Sequence, residues 1–196
     1  MDKKHQKHAK ITKPNVGVFG RHEYAILGTP CGEIKKLARQ ISEGLSAAYK
    51  IAYVDADHKS ADDSSNLEGS SLAHGNKLEY IDKIDFHRFD EMESLNEFDY
   101  KRKFVNQDLV LINGNHFKGQ KQIVIIDPRK SLEKKLEKLT DVALILLHEG
   151  EQSVPDFLAT HLPDFESIPQ LSINDLDAIN DYIREALEKS VPPING

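Results

Sequence analysis

The sequence has a single cysteine, Cys31, among its 196 residues. One cysteine excludes an internal disulfide framework and a cysteine-rich zinc site, and it fits a reducing compartment. No stretch approaches the roughly 18 consecutive apolar residues of a membrane-spanning helix, and the basic N-terminal segment is not followed by a signal-peptide core. We therefore expect a cytoplasmic protein without a membrane partner.

The sequence also has no excess of basic residues over acidic ones. The 26 Lys and Arg residues are outnumbered by 32 Asp and Glu residues, so the net charge is -6. This balance argues against nucleic acid as a partner, and we interpret the lysines of residues 1–13 as a solvated basic tail. A chain of this length suits one domain with a sizeable core. We expect that domain to cover residues 14–190 and residues 191–196 to form the end of a linker.

Short apolar runs rich in β-formers alternate along the chain with amphipathic helical patterns. This alternation is typical of parallel strands joined by crossover helices. Several runs are almost continuously hydrophobic, which indicates strands that are covered on both faces. The predicted fold class is therefore α/β, with three layers and a mainly parallel sheet between helices. The predicted strands are residues 23–27, 51–54, 84–88, 108–112, 122–126 and 142–147.

Helices are predicted where apolar residues recur at spacings of three and four. The first starts just after Gly32, and others are predicted over residues 93–106, over residues 129–139 and from Asn174. Residues 59–83 are rich in Ser, Asp, Asn and Gly, with few apolar residues. Such a segment inside a compact domain is either disordered or a mobile lid over a site.

The first predicted strand is followed by a small-residue turn and then by the first helix. A turn in this position can hold a phosphate with backbone N–H groups and the helix N-terminus. The candidate phosphate- or nucleotide-binding residues are Gly28, Thr29, Cys31, Gly32 and Lys35. The alternatives are that the turn is merely tight, that Cys31 is a packing residue and that Lys35 faces solvent.

This turn departs from a working Walker A loop, which reads Gly, four residues, and then Gly-Lys-Ser/Thr. Only three residues separate Gly28 from Gly32, and Glu33 and Ile34 stand where Lys and Thr are required. Glu33 would repel a phosphate, and Ile34 has no oxygen for magnesium. We therefore predict a P-loop NTPase-like fold with a degenerate Walker A loop.

Polar side chains follow the second predicted strand. Asp55, Asp57, His58 and Lys59 stand after residues 51–54. This stretch resembles the strand and Asp-x-Asp of the ParA and MinD group of ATPases, in which the aspartates act through magnesium and water. The alternative is that Asp55 holds a turn while Asp57 and His58 are solvated.

The strand predicted over residues 108–112 leads to Asn113, Asn115 and His116. A P-loop protein keeps its Walker B acid at this point. Asn113 replaces the acid here, and a neutral amide holds magnesium poorly. Together with Glu33 and Ile34, this substitution argues against ordinary nucleotide hydrolysis.

Three histidines, His58, His87 and His116, each end or follow a predicted strand. If the strand ends meet at one edge, they could converge with Asp55 and Asp57 on a divalent metal ion, since imidazole and carboxylate suit zinc or another transition ion. The candidate metal ligands are then Asp55, Asp57 and His58. The alternative places His87 in a surface cluster of charged residues.

Four sequence blocks, residues 28–32, 53–59, 83–88 and 113–117, resemble a known family. Together they are similar to the amino-terminal domain that precedes molybdenum cofactor guanylyltransferase (MobA-type) in fused bacterial proteins. That domain is in turn similar to the P-loop accessory protein of molybdopterin-guanine dinucleotide biosynthesis (MobB-like). Its Asp-Leu-Val-Leu-Val-Glu-Gly-Phe-Lys stretch resembles residues 108–118.

The resemblance implies an accessory or adapter role in molybdenum cofactor biosynthesis. Its implied ligands are GTP with Mg²⁺ or molybdopterin, and its implied partner is the guanylyltransferase domain. A separate alternative is a structural domain that merely forms a homodimer, as many P-loop proteins do. Residues 194–196 are similar to the approach to the glycine-rich guanylyltransferase loop, but that loop is absent. No catalytic residue can therefore be transferred to this chain. The alternative is a metal-dependent phosphate-ester or nucleotide enzyme that uses Asp55, Asp57 and the strand-end histidines.

Overall fold

The computed structural model describes residues 22–56, 69–92, 94–151 and 153–189. The predicted tail at residues 1–13, the predicted linker at residues 191–196 and residues 59–68 of the predicted lid lie outside the described residues. No helix in the described part of the chain is both long enough and apolar enough to cross a membrane.

Six parallel strands form the central sheet. Nearly every residue of the three middle strands is buried, which explains their continuous apolar sequence. The strands are β1 (His22–Leu27), β2 (Ile51–Val54), β5 (Leu109–Asn113), β6 (Lys121–Ile126), β7 (Val142–Leu147) and β8 (Gln170–Ser172). Their order across the sheet is β2-β5-β1-β6-β7-β8.

Helices cover both faces of this sheet. One face packs against α1 (Cys31–Leu45) and α4 (Leu176–Lys189), whose apolar stripes lie in one core cluster with the strands. The other face packs against α2 (Glu97–Arg102), α3 (Asp156–His161) and the 3-10 segment Glu133–Lys138, in two smaller clusters. The predicted three-layer α/β architecture is therefore confirmed.

A separate antiparallel ribbon lies outside the central sheet. It consists of β3 (Leu78–Asp82) and β4 (His87–Glu91). The predicted strand at residues 84–88 is therefore wrong in its position, because Ile84 lies in the connecting turn with a positive φ of 73°. Both faces of the ribbon are largely exposed, so its sequence lacks the apolar run that marks a buried strand.

The 3-10 turn Ser71–His74 is attached to this ribbon by the Glu79 carboxylate. Glu79 accepts hydrogen bonds from the Ser71 backbone N–H at 2.9 Å, from the Ser71 hydroxyl at 2.8 Å and from the Ser70 hydroxyl at 2.8 Å. These bonds, the backbone one first, lower the pKa of Glu79 to about 2. The described residues 69–83 thus contain secondary structure that their polar composition did not predict.

Two predicted helices are wrong in extent or type. The helix predicted over residues 93–106 is reduced to α2 (Glu97–Arg102), and the one predicted over residues 129–139 is the 3-10 segment Glu133–Lys138. The latter is interrupted at Lys135, whose φ of -137° is not helical. The final helix begins at Leu176, two positions after the predicted start. The sequence interpretation missed α3 and β8.

Candidate functional site

The turn after β1 is compact because Gly28 packs directly on β6. Gly28 has a φ of +96°, and a Cβ atom placed on it would lie 2.2 Å from the Ile125 carbonyl oxygen. Only glycine combines this conformation with this approach. The chain then reaches α1 through Pro30, whose carbonyl oxygen accepts hydrogen bonds from the N–H groups of Glu33 and Ile34 at 3.0 and 3.2 Å.

The hydroxyl of Thr29 is directed inward, towards the end of β6. Thr29 is fully buried, and its Oγ1 donates a hydrogen bond to the carboxylate of Asp127, the residue after β6. The Thr29 hydroxyl thus connects the turn to the neighbouring strand. It does not correspond to the magnesium-binding hydroxyl of a working Walker A loop, whose position is occupied by Ile34.

The carbonyl oxygen of Thr29 is held by side chains from both adjacent strands. Asn115, after β5, donates from Nδ2 at 3.1 Å, and Lys130, after β6, donates from Nζ at 3.1 Å. A phosphate-binding loop offers N–H donors to its ligand. This turn instead offers an acceptor, to which an amide and an ammonium group are bound.

Asp127 and Arg129 form an ion pair below the turn. The Arg129 guanidinium donates to the carboxylate from Nε at 2.9 Å and from the second terminal nitrogen at 2.8 Å, and the Arg129 backbone N–H adds a bond at 2.9 Å. These bonds, the Arg129 side chain first, hold the pKa of Asp127 well below its usual value, against the opposing effect of burial. Asp127 is therefore ionised throughout the physiological range.

Arg129 also contacts two groups on either side of it. Its terminal nitrogens lie 3.5 Å from the Glu33 carboxylate and 2.9 Å from Nε2 of His148. Because an arginine can only donate, His148 accepts at Nε2 and carries its proton on Nδ1. Sequence reasoning missed Asp127, Arg129 and His148, although the first two follow directly on the apolar run of β6.

Asp55 and Asn113 meet at the end of the sheet, because β2 and β5 are neighbouring parallel strands. Asn113 donates from Nδ2 to Oδ1 of Asp55 at 2.7 Å, and the Tyr53 hydroxyl donates to Oδ2 at 2.8 Å. The Ala56 N–H also donates to Oδ1 at 2.8 Å. Burial and the bond to Asp55 raise the pKa of Tyr53, so its hydroxyl stays protonated. Both oxygens of the Asp55 carboxylate therefore accept hydrogen bonds.

Cys31, Asn115 and His116 form a second polar cluster beside the turn. The Cys31 sulfur lies 3.4 Å from Nδ2 of Asn115 and 3.4 Å from Nε2 of His116. Asn115 is oriented by its own N–H, which donates to Oδ1 of Asn113 at 3.1 Å. The structure therefore brings together the predicted residues of the turn and those that follow β5.

Other predicted site residues are not part of this arrangement. Asp57, His58 and Lys59 lie outside the described residues. His87 lies in the separate ribbon, where its Nδ1 is 2.8 Å from the Tyr80 hydroxyl, because β4 is not a strand of the central sheet. Within the described ranges, no three His, Cys, Asp or Glu side chains are close enough to hold a metal ion. The predicted convergence of histidines on a metal is therefore not found there.

A polar groove lies beside the start of α1. It has a volume of about 270 Å³ and is bordered by α1 and by the residues that follow β6, β7 and β8. Lys36 lines it, whereas Lys35, the predicted ligand, is an exposed residue on the neighbouring side of the helix. The polar side chains of its lining are Glu33, Lys36, Gln40, Arg129, His148, Glu149 and Asn174.

Comparison with solved structures places this architecture among known folds. No protein-family model and no curated protein sequence matches the chain. Two structures of MobB from Bacillus subtilis are similar, each at 14% identity, with TM-scores of 0.57 and 0.52. They cover 84% and 82% of this chain and are themselves covered to 96%. A MobB homologue from Bacillus stearothermophilus is 12% identical, with a TM-score of 0.56. The match covers 85% of this chain and 98% of the homologue. The chain therefore shares the fold of the MobB structures, a mainly parallel α/β sheet between helices.

Proposed function

We propose that this chain is a non-catalytic accessory or adapter domain in the biosynthesis of molybdopterin guanine dinucleotide. It acts by binding a nucleotide, a pterin or a molybdenum cofactor guanylyltransferase. Two lines support the proposal: the four sequence blocks that resemble the domain preceding this guanylyltransferase, and the fold shared with MobB. The glycine-rich catalytic loop of the guanylyltransferase has no counterpart in the sequence.

The observation that carries the non-catalytic part of the proposal is the state of the turn after β1. Glu33 and Ile34 stand in the positions of the Walker A lysine and of its magnesium-binding hydroxyl, and the one hydroxyl of the turn, that of Thr29, is buried and bonded to Asp127. The residue in the Walker B position, Asn113, is a neutral amide bonded to Asp55. We infer that the chain does not hydrolyse GTP or ATP.

Nucleotide binding is supported by the groove beside α1. Lys36 and Arg129 bring two cations to its lining, and a phosphate can be held there by charge-assisted hydrogen bonds without a Walker A lysine. Glu33 and Glu149 also line the groove and reduce this attraction. Glu33 lies 3.5 Å from Arg129 and is partly neutralised by it. A nucleotide bound in the groove would lie beside the turn.

Calorimetric titration with GTP, ATP and GDP, with and without Mg²⁺, tests the nucleotide part. We expect binding of GTP without release of phosphate. Lys36→Ala should weaken it about fivefold, because one exposed ion pair contributes up to roughly 1 kcal/mol. Lys35→Ala is the matched control, since Lys35 is also exposed on α1 but does not line the groove. Release of phosphate in the presence of Mg²⁺ would contradict the non-catalytic assignment.

The accessory role requires a separate experiment with a bacterial molybdenum cofactor guanylyltransferase. Binding of the chain to this enzyme is measured by calorimetry, and the rate of molybdopterin guanine dinucleotide formation is measured with and without the chain. We expect a complex and a faster reaction. If the chain neither binds the enzyme nor changes its rate, the accessory role is wrong, whatever the outcome with nucleotides.

A further inference from the structure

A second cavity lies on the other side of the turn, between the residue stretches that follow β5 and β6. Its volume is about 260 Å³, slightly below the roughly 300–1,000 Å³ of sites for drug-sized ligands. A cavity of this size suits a small ligand or one group of a larger ligand. Its polar lining residues are Cys31, Asn115, His116, Lys130, Lys135 and Lys138.

The lining is strongly basic. Three lysines and a histidine border the cavity, and none of its lining residues is an aspartate or a glutamate. Among the described residues, no carboxylate forms an ion pair with Lys135 or Lys138. Like charges gathered in this way repel one another, and an anion of multiple charge removes the repulsion.

The electrostatics of Lys130 reflect this crowding. Burial lowers the pKa of Lys130, and the charges of Lys135 and Lys138 lower it further. Cys31 and, to a smaller extent, Asp127 oppose the effect, and the Asp127 carboxylate is already bonded to Arg129 and Thr29. The charge of Lys130 is therefore only partly compensated by the protein.

Lys130 is held in a fixed position by its bond to the Thr29 carbonyl oxygen at 3.1 Å. An ammonium group has three N–H donors, of which this bond uses one. Asn115 donates to the same oxygen from the opposite loop, so one carbonyl orients both an amide and an ammonium group at the cavity wall. This organisation distinguishes the cavity from a set of mobile surface lysines.

We propose that this cavity binds a small, multiply charged oxyanion of the phosphate class, held by Lys130, Lys135 and Lys138. The lysines come from the stretch after β6 and not from the turn after β1, so this site is a different one from the Walker A cradle whose lysine is missing. It does not depend on the accessory function proposed above. The anion is either inorganic or the phosphate group of a small organic molecule, since the lysines recognise the same chemistry in both.

The test is calorimetric titration of the full chain at low ionic strength with three probes: inorganic phosphate, inorganic diphosphate and glycerol 3-phosphate. We expect at least diphosphate to bind. Lys135→Ala and Lys138→Ala should each weaken this binding about fivefold or more, as the loss of a charge-assisted bond predicts. Tighter binding of glycerol 3-phosphate than of inorganic phosphate would identify a phosphorylated organic ligand as the occupant.

Lys134→Ala is the matched control, because Lys134 belongs to the same 3-10 segment but is exposed and does not line the cavity. It should leave the affinity unchanged. Lys130 itself is avoided, since its loss would also release the Thr29 carbonyl. An equal loss of affinity in all three lysine variants would mean general surface attraction and would overturn the proposal, as would the absence of binding by every probe.

Discussion

Thr29 and Asp127 are joined by a hydrogen bond from the threonine hydroxyl to the buried carboxylate, which connects the turn after β1 to the end of β6. The same carboxylate holds the guanidinium of Arg129. One buried acid thus fixes the conformation of the turn and the position of a cation beside the groove.

We expect Asp127→Asn to lower the free energy of unfolding at neutral pH by about 1–3 kcal/mol, because a neutral amide loses the charge-assisted bonds from Arg129. The side chain of Arg129 is about half exposed and keeps its contact with Glu33, which limits the loss. Urea titration measures the change. Asp181→Asn is the control, since its ion pair with Arg184 is largely exposed and should contribute at most about 1 kcal/mol.

The effect of Asp127→Asn on stability should also depend on pH. The pKa of Asp127 is lower in the folded protein than its ordinary value of 3.8. Its ionised form therefore stabilises the fold above that value, and this contribution is lost as the pH falls through the folded-state pKa. The difference between wild type and Asp127→Asn should be constant near neutral pH and should shrink below about pH 4. A difference that stays the same in acid would show that the ion pair does not stabilise the fold.

The two glycines of the turn should differ sharply in their tolerance of alanine. Gly28→Ala places a Cβ 2.2 Å from the Ile125 carbonyl oxygen at a positive φ, so we expect a loss of about 3 kcal/mol or failure to fold. Gly32→Ala meets no atom within 4 Å and lies in the first turn of α1; it should be neutral or stabilise by up to about 1 kcal/mol. Thermal unfolding measures both variants, and equal effects would contradict the described turn.

Helices α1 and α4 approach closely at Gly44 and Asn180. A Cβ on Gly44 would lie 2.2 Å from Nδ2 of Asn180, whose own Oδ1 is buried without a hydrogen-bond partner among the described residues. Gly44→Ala alone should destabilise by about 1–2 kcal/mol, since the clash exceeds the gain in helix propensity. Adding Asn180→Ala should reverse this loss, with a coupling of at least about 1 kcal/mol in a double-mutant cycle. Additive effects would rule out the contact.

The turn of the ribbon carries a β-branched residue in the left-handed region. Ile84 has a φ of 73° and is 97% exposed, so its side chain contributes strain and almost no packing. Ile84→Asn should stabilise the ribbon by about 1 kcal/mol, seen as slower amide hydrogen exchange at Lys83, which donates to Phe86. Ile84→Val keeps a β-branched side chain, so its Lys83 amide should exchange at the wild-type rate. Faster exchange of this amide in Ile84→Asn would contradict backbone strain at Ile84.

The sequence predicts the central sheet well, because burial on both faces imposes a pattern that can be recognised directly. The strands at residues 51–54 and 142–147 have the predicted bounds. The ribbon was misplaced for the opposite reason: its strands are exposed, and their pairing depends on the turn at Ile84 and not on apolar periodicity. The stretch after β6 was predicted as a helix, but it is a 3-10 segment that is interrupted at Lys135. The apolar spacing of Leu132, Leu136 and Leu139, which do pack in the core, does not distinguish the two kinds of helix.

The sequence pointed to Asp55 and Asn113 as candidate site residues, but it did not predict their contact. They meet because the ends of neighbouring parallel strands lie at one edge. Asp127, Arg129 and Lys130 were missed, since the prediction followed known nucleotide motifs and these residues belong to none of them. Their importance depends on the strand order, which places β6 directly beside β1.

The strand order also has a kinetic consequence. The central strand β1 pairs on both edges with strands that come much later in the chain, β5 and β6, and β2 also pairs with β5. Among the described strands, β1 and β2 therefore have no sheet partner until residues 109–126 have left the ribosome, whereas the ribbon of β3 and β4 can close locally. Pairings between such distant segments slow folding, into the range of milliseconds to seconds typical of chains with many non-local contacts. The turn that carries Gly28 and Thr29 thus acquires its final shape only after most of the domain has been synthesised.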